Sequence, residues 1–336
     1  MPPRNAVRVA LDAMGGDRGP EVTVEGAVAA VRELGSRVVL VGNEEVLRHH
    51  LAHYDVRGLD LTVVHAPEAV EMAESPMAAL RKKKHSSIRI GLDLVKRGDA
   101  EAFVSAGNTG AVMATAMVVL GALPGVERPA IAVVVPTVTH QAVLLDVGAN
   151  VDCKARHLLQ FAIMGNVYAR DLLGQPRPRV GLLSIGEEEI KGNELTREAF
   201  KEMEDEPSLN FIGNVEGRDV FSGTADVIVC DGFTGNVALK ISEGLVETMF
   251  HLLRDELKKD LRGRIGSLLL IPTFRRFKRR IDSSEFGGAP LLGVNGVCMI
   301  SHGRSTGKAI RNAIRAAEGC VSNTVIAHIR EGIAVG

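Results

Sequence analysis

The sequence predicts an α/β protein built on a mostly parallel sheet with helices on both faces. Three observations predict it. Short apolar, β-rich runs recur along the 336 residues. Amphipathic helical patterns separate most of these runs, as a parallel sheet requires. Six of the runs end directly in loops rich in Gly, Asn and Ser.

The runs follow in order. Residues 7–11 lead into DAMGGDRGP (12–20), and a helical pattern covers 21–34. Runs at 38–41 and 61–64 come next, then a helix at 88–96. The run at 102–104 leads into SAGNTG (105–110). Runs at 131–135 and 143–145 follow, the second leading into DVGAN (146–150) and a helix at 154–173. The run at 180–183 leads into SIGEEEIKGNE (184–194). The run at 227–229 leads into CDGFTGN (230–236) and a helix at 237–257. The last run, 297–300, leads into SHGRS (301–305). In an open α/β sheet, ligands bind outside the carboxyl ends of the strands. The six loops are therefore expected to converge on one cleft, offering backbone N–H groups at helix starts that suit an anion. For any one loop the alternative is ordinary turn chemistry. None is a Walker A motif, and none is a spaced GxGxxG followed by an acidic residue.

One segment stands outside this alternation. Residues 252–282 carry Leu261, Ile265 and Leu268 on one helical face, and Leu270, Phe274, Phe277 and Ile281 on another. Pro272 disfavours a single unbroken helix. The prediction is a helical hairpin inserted in one domain spanning 1–336. Leu268, Leu269, Leu270 and Ile271 lie near its tip, with Arg275, Arg276, Lys278, Arg279 and Arg280 beside them. Basic residues flanking an apolar face suit an anionic membrane surface. The alternative is packing against the body or a second subunit.

Composition narrows the function classes. Hydrophobic residues make up 46% and charged residues 24%, ordinary for a globular protein. There is no Trp and only 2 Tyr against 36 Gly, which disfavours nucleic-acid binding through aromatic stacking. The net charge of −1 hides a polarised distribution. Residues 254–282 carry ten Lys/Arg and four Asp/Glu, and residues 187–206 carry nine acidic and three basic residues. Such blocks steer charged partners. Cys153, Cys230, Cys298 and Cys320 have no metal or redox spacing and are read as inert thiols of a reducing compartment. The N-terminus reads as a strand and not a signal peptide. The longest apolar stretch, 111–123, is too short to span a bilayer.

The strings LDAMGGDRGP, SAGNTGA, LLDVGAN, IGEEEIKGNEL, DGFTGNVALK, GAPLLGVNG and SHGRS together resemble the PlsX family of acyl-carrier-protein:phosphate acyltransferases. They span residues 11–305 in consistent order. The resemblance implies a three-layer α/β/α fold similar to isocitrate and isopropylmalate dehydrogenases and to phosphate acetyltransferases. It implies a cytoplasmic homodimer, peripherally associated with the membrane. It implies acyl transfer from acyl carrier protein to inorganic phosphate, the product passing to a glycerol-3-phosphate acyltransferase. Direct attack of phosphate on a thioester calls for neither a metal nor a redox cofactor, and no nucleic-acid partner is expected. Rival readings are a coenzyme A-dependent phosphate acyltransferase, a metal-dependent NAD(P) dehydrogenase and a non-catalytic membrane scaffold.

The resemblance points to Lys191 and Asn236 as the catalytic pair. Lys191 suits phosphate as a point charge, and Asn236 suits the carbonyl oxygen or phosphate. Their alternatives are a lysine answering Glu187, Glu188 and Glu189, and a plain helix cap. Substrate contacts are expected from Asp12, Gly15, Gly16, Asp17, Ser105, Asn108, Thr109, Asn150, Asn193, His302 and Arg304. Asp17 serves either as general base or as a cap. Asn108 either binds substrate or caps the following helix.

Overall fold

A computed structural model describes residues 7–259, 261–281 and 287–335. Among them eleven strands form one sheet. In chain order these are β1 (Arg8–Asp12), β2 (Arg37–Gly42), β3 (Leu61–His65), β4 (Ala102–Ser105), β5 (Ala130–Pro136), β6 (Gln141–Leu145), β7 (Arg179–Leu183), β8 (Asn210–Val215), β9 (Val227–Val229), β10 (Ala289–Leu292) and β11 (Val297–Ile300). The helices are α1 (Pro20–Leu34), α2 (Glu44–Leu51), α3 (Pro76–Lys82), α4 (Ser87–Arg97), α5 (Thr109–Val119), α6 (Ala155–Leu173), α7 (Glu194–Glu204), α8 (Gly232–Lys258), α9 (Leu261–Ile281), α10 (Gly307–Ser322) and α11 (Val325–Val335).

The central strands are near-continuous apolar runs because both faces of the sheet are covered. β4, β9 and β11 are buried at every position. One core layer joins the sheet to α1, α6, α7, α10 and α11, through residues such as Val28, Phe161, Ala199, Ile314 and Ile329. The other joins it to α3, α4 and α5, through Ala79, Leu92 and Val112. Three α/β/α layers follow. Helix ends obey local chemistry. Pro20 opens α1, where its missing N–H is not needed, and Gly35 closes it in the left-handed conformation at φ 70°.

The strand order is β3-β2-β1-β4-β11-β10-β5-β6-β9-β7-β8. β3, β2, β1, β4 and β11 are mutually parallel. β6, β9, β7 and β8 are parallel among themselves. β10 pairs antiparallel with β11 and with β5, and β5 pairs antiparallel with β6. The second parallel group therefore runs opposite to the first. The cause is the four-residue connection 137–140 between β5 and β6. A parallel crossover needs a dozen or more residues, so these two strands must form a hairpin.

This corrects one expectation. The six polar loops do not leave one edge. Those after β1, β4 and β11 lie at one end of the strands, and those after β6, β7 and β9 at the other. β8 and β10 also escaped the sequence pattern. β8 mixes Asn210, Gly213 and Asn214 into a half-buried edge strand. β10 is four residues long and contains Pro290, which reads against a strand.

The hairpin is larger than 252–282. α8 is 27 residues long and α9 is 21, and α9 continues through Pro272. Loss of one N–H leaves the Leu268 carbonyl without its helical partner, which an exposed helix can leave to solvent. α8 ends at Lys258 and α9 begins at Leu261, so Leu268–Ile271 sit within α9 and not at the tip. Phe250 and Phe277 join the two helices, ring centroids 6.0 Å apart. Arg280 Nη2 donates to the Val138 carbonyl at 2.7 Å, tying the end of α9 to the β5–β6 turn. Asp260 and Asp282 of the expected hairpin lie outside the described residues, as do the side chains of Leu261, Lys278 and Arg279.

Candidate active site

At the β1/β4/β11 edge the loops are drawn together around a buried carboxylate. Asp12 ends β1 and is 1% exposed. Ser105 Oγ donates to its Oδ2 at 2.7 Å, and the Met14 amide donates to Oδ1 at 3.2 Å. Burial pushes the Asp12 carboxyl upward, and these hydrogen bonds hold it back. Ser105 Oγ also accepts from the Gly107 amide at 3.0 Å, so its hydroxyl is fully engaged. Gly15 must lack a side chain, since a Cβ there would stand 2.5 Å from Asp12 Oδ2 and 2.7 Å from the Gly107 nitrogen. Gly16 has φ 98°, open to glycine, beside the Gly303 carbonyl. The Asp17 amide donates to that carbonyl at 2.8 Å. Asp17 is exposed and does not cap α1, whose N-cap is Gly19. His302 and Arg304 are exposed, and His302 Nδ1 accepts from the Arg304 amide at 3.1 Å.

Two SAGNTG residues divide their roles. Asn108 caps α5, its Oδ1 accepting from the Ala111 amide at 3.0 Å. Its Nδ2 donates to the carbonyls of Met72 at 2.9 Å and Glu74 at 2.8 Å, and more distantly to that of Glu71. Thr109 is exposed at the first position of α5.

At the opposite edge, Asp146 organises the loops after β6 and β9. Its Oδ1 accepts from the amides of Ile131 and Ala149, both at 3.0 Å. Its Oδ2 accepts from the Asn150 amide at 2.7 Å and Asn150 Nδ2 at 2.9 Å. Burial raises its pKa against these four donors. Asn150 Nδ2 also donates to the Pro129 carbonyl at 2.7 Å, so that side chain is a brace. Gly232 and Gly235 admit this packing. A Cβ on Gly232 would meet Asp146 Oδ2 at 2.7 Å, and one on Gly235 would collide with the Asp146 carbonyl oxygen.

Asn236 and Lys191 emerge from this edge uncommitted. α8 is capped by Asp231, which accepts from the Thr234 amide at 2.9 Å, so Asn236 is no cap. Its amide is exposed in the second turn and lies against Gly148. Lys191 is exposed, and its stem packs on Gly186. No ion pair among the described residues joins it to Glu187, Glu188 or Glu189; Glu187 pairs with Arg218. Asn193 caps α7, accepting from the Thr196 amide at 2.9 Å. β7 and β9 are adjacent, so the loop bearing Lys191 and the helix bearing Asn236 follow neighbouring strands. The edge thus presents an ammonium and an amide able to hold an anion or a developing oxyanion.

Sequence reasoning passed over Ser184 and Ser301, each the first residue after a strand. Both hydroxyls are buried with no hydrogen-bond partner among the described residues, and both stood within recognised loop strings. The cysteines fit the inert reading. Burial, then the Asp146 charge, pushes the Cys153 thiol up to about 11, and burial pushes Cys298 and Cys320 up to about 12. Among the described residues, no group of three or more His, Cys, Asp or Glu is placed to hold a metal ion.

A family model described as fatty acid synthesis protein matches residues 7–328. A phosphate acyltransferase from Trichlorobacter lovleyi is 54% identical over 325 residues, covering 97% of this chain and 94% of that protein. One from Citrifermentans bemidjiense is 57% identical over 309 residues, covering 92% and 88%. The chain belongs to this family. The PlsX resemblance is borne out, and the protein is an acyltransferase. A phosphotransacetylase structure from Streptococcus pyogenes superposes with a TM-score of 0.62 at 19% identity, over 94% of each chain. A branched-chain phosphotransacylase structure from Enterococcus faecalis gives 0.57 at 15%, over 94% of this chain and 99% of that one. At such identities the likeness concerns the fold, and it bears out the three-layer expectation.

Proposed function

We propose that the protein transfers a fatty acyl group from an acyl-carrier-protein thioester to inorganic phosphate. A phosphate oxygen attacks the thioester carbonyl, the carbonyl electrons move onto oxygen, and their return expels the thiolate. The thiolate takes a proton to give free carrier protein, and acyl phosphate leaves as substrate for a glycerol-3-phosphate acyltransferase. Lys191 holds phosphate and Asn236 donates to the developing oxyanion or orients phosphate against the carbonyl. One observation carries this reading: in a phosphate acyltransferase family member, Lys191 and Asn236 are both exposed with no side-chain partner among the described residues, Lys191 on the loop after β7 and Asn236 near the start of the helix after the adjacent β9.

The β1/β4/β11 edge binds the donor. Phosphate is compact, and only the long acyl thioester is large enough to touch both edges. Asp12, Ser105, Gly15 and Gly16 shape that region, while Asp17, Thr109, His302 and Arg304 present exposed polar groups to it. The protein works in the cytoplasm as a homodimer paired along α8. It meets an anionic membrane through Leu268, Leu269, Leu270 and Ile271, with Arg275 and Arg276 beside them; all six are exposed. No helix of the described residues is long and apolar enough to cross a membrane.

The test mixes purified protein, palmitoyl-acyl carrier protein and phosphate, and measures acyl phosphate by mass spectrometry. Acyl phosphate and free carrier protein are the expected products. Their absence, with product formed from palmitoyl-coenzyme A in a parallel reaction, overturns the carrier-protein assignment.

A further inference from the structure

Between β3 and α3 the chain crosses the β1/β4/β11 edge as an irregular segment, residues 66–75. Ala66 and Val70 are buried in the core layer beneath it. Its outer part is held from two sides. Asn108 Nδ2 donates to the Met72 and Glu74 carbonyls. Lys83 Nζ donates to the Ala69 carbonyl and to Glu74 Oε2, both at 2.7 Å. The segment's far end leans on the same motif, because a Cβ on Gly110 would stand 2.6 Å from Pro76 Cγ. Two members of SAGNTG thus serve this strap, Asn108 through its amide and Gly110 through its missing side chain.

The strap carries Met72 to the loop junction. A Cβ on Gly303 would meet Met72 Cε at 2.7 Å and Asp17 Oδ1 at 3.1 Å, so the thioether tip lies where the β1 and β11 loops join. Met72 is nevertheless 42% exposed. A flexible, polarisable side chain of this kind adapts to an apolar partner of variable shape. Glu68, Glu71 and Glu74 lie on the strap, with Glu74 paired to Lys83, and Arg81, Lys82 and Lys84 follow it closely in sequence. A hydrocarbon chain is indifferent to this mixed charge.

We propose that Asn108 is a positioning residue that clamps the strap, and that Met72, so placed, forms the wall against which the donor's acyl chain lies. The assignment of Met72 rests on the acyl-transfer reading above; the clamp does not. Asn108 thereby leaves the substrate-donor role its motif suggested.

Asn108→Asp tests the clamp. The carboxylate keeps an acceptor for the Ala111 amide but has no N–H for the strap carbonyls. Amide hydrogen exchange across residues 66–75 is expected to accelerate by about tenfold or more, with α5 unchanged. Exchange at the wild-type rate overturns the clamp whether or not acyl transfer is correct. In kinetics, Asn108→Asp raises the KM for palmitoyl-acyl carrier protein while kcat and the KM for phosphate hold. A rise confined to the phosphate KM overturns the proposal. Met72→Ala leaves the clamp intact and tests the wall. The ratio of kcat/KM for palmitoyl over octanoyl donor falls about fourfold, the value of one buried methylene. An unchanged ratio removes Met72 from the acyl site. This second variant decides the wall even if Asn108→Asp fails to fold.

Discussion

Asn108, Asn150 and Asn236 all lie in glycine-rich stretches that follow a strand, yet their amides have different fates. Asn108 grips carbonyls 34 to 37 positions earlier, and Asn150 grips one 21 positions earlier. Both amides are committed within the fold. Asn236 has no such partner among the described residues and remains open to substrate. The motifs located these loops, because glycine and a short polar side chain after an apolar run have a local cause. They did not reveal which polar atoms were already engaged, because those partners are distant in sequence. Ser105 shows the same limit, its hydroxyl shared between Asp12 and Gly107. The free pair is therefore the sharper target. Lys191→Ala and Asn236→Ala should each lower kcat by roughly 10²–10³, the usual effect of removing one fixed donor in acyl transfer. Circular dichroism should stay native, since neither side chain has a described partner to lose. Near wild-type turnover at saturating substrates removes the residue from the mechanism.

Among the elements, those with strong periodicity were legible, and those defined by their neighbours were not. α1, α4 and α6 match their sequence patterns to within one residue at each end. β10 became a strand only because β11 and β5 flank it. The hairpin was legible as two amphipathic segments, but its helix boundaries were not, since Pro272 is a stronger local signal than the residues at the end of α8. The position of the apolar run now matters. Leu269 is 77% exposed and Leu270 45%, so the fold does not bury them. Insertion of such side chains into an apolar layer is worth about 1.5–3 kcal/mol each at most, and each nearby basic residue adds roughly 1 kcal/mol at an anionic surface. Leu269→Glu with Leu270→Glu should release the protein from phosphatidylglycerol liposomes in a sedimentation assay, with activity on soluble donor near normal. Charge reversal at Arg275 and Arg276 should weaken liposome binding alone if they serve the membrane, and should raise the donor KM if they dock the acidic carrier. Undiminished sedimentation of the double-Glu variant moves the apolar run to a protein interface.

At the scale of the molecule, the decisive feature is the reversal of the sheet at the β5–β6 hairpin. It was readable in principle, since residues 137–140 leave no room for a crossover, but counting strand-to-loop motifs without connection lengths hid it. The reversal sends β9 and α8 from the edge opposite Asp12, and α8 exposes an apolar stripe along its length. Ile241, Leu245, Met249 and Leu252 recur at helical spacing and are each 58–65% exposed. A contiguous stripe of this kind on a folded surface marks an interaction site, and a two-fold pairing of α8 would cover eight such side chains. At about three-fifths of a full burial each, the gross gain is on the order of 7–15 kcal/mol. Association costs about 4–15 kcal/mol, so the stripe would roughly balance that cost, and a dimer paired this way could not spare half of it. Leu245→Glu with Met249→Glu removes four of the eight contacts and places carboxylates in the seam. These positions lie roughly 14–20 Å along the helix from Asn236, far enough to leave its amide undisturbed. The variant should sediment as a monomer where the wild type sediments as a dimer. A wild-type dimer that survives both substitutions excludes α8 as the seam, and a wild type that is monomeric at micromolar concentration excludes the homodimer.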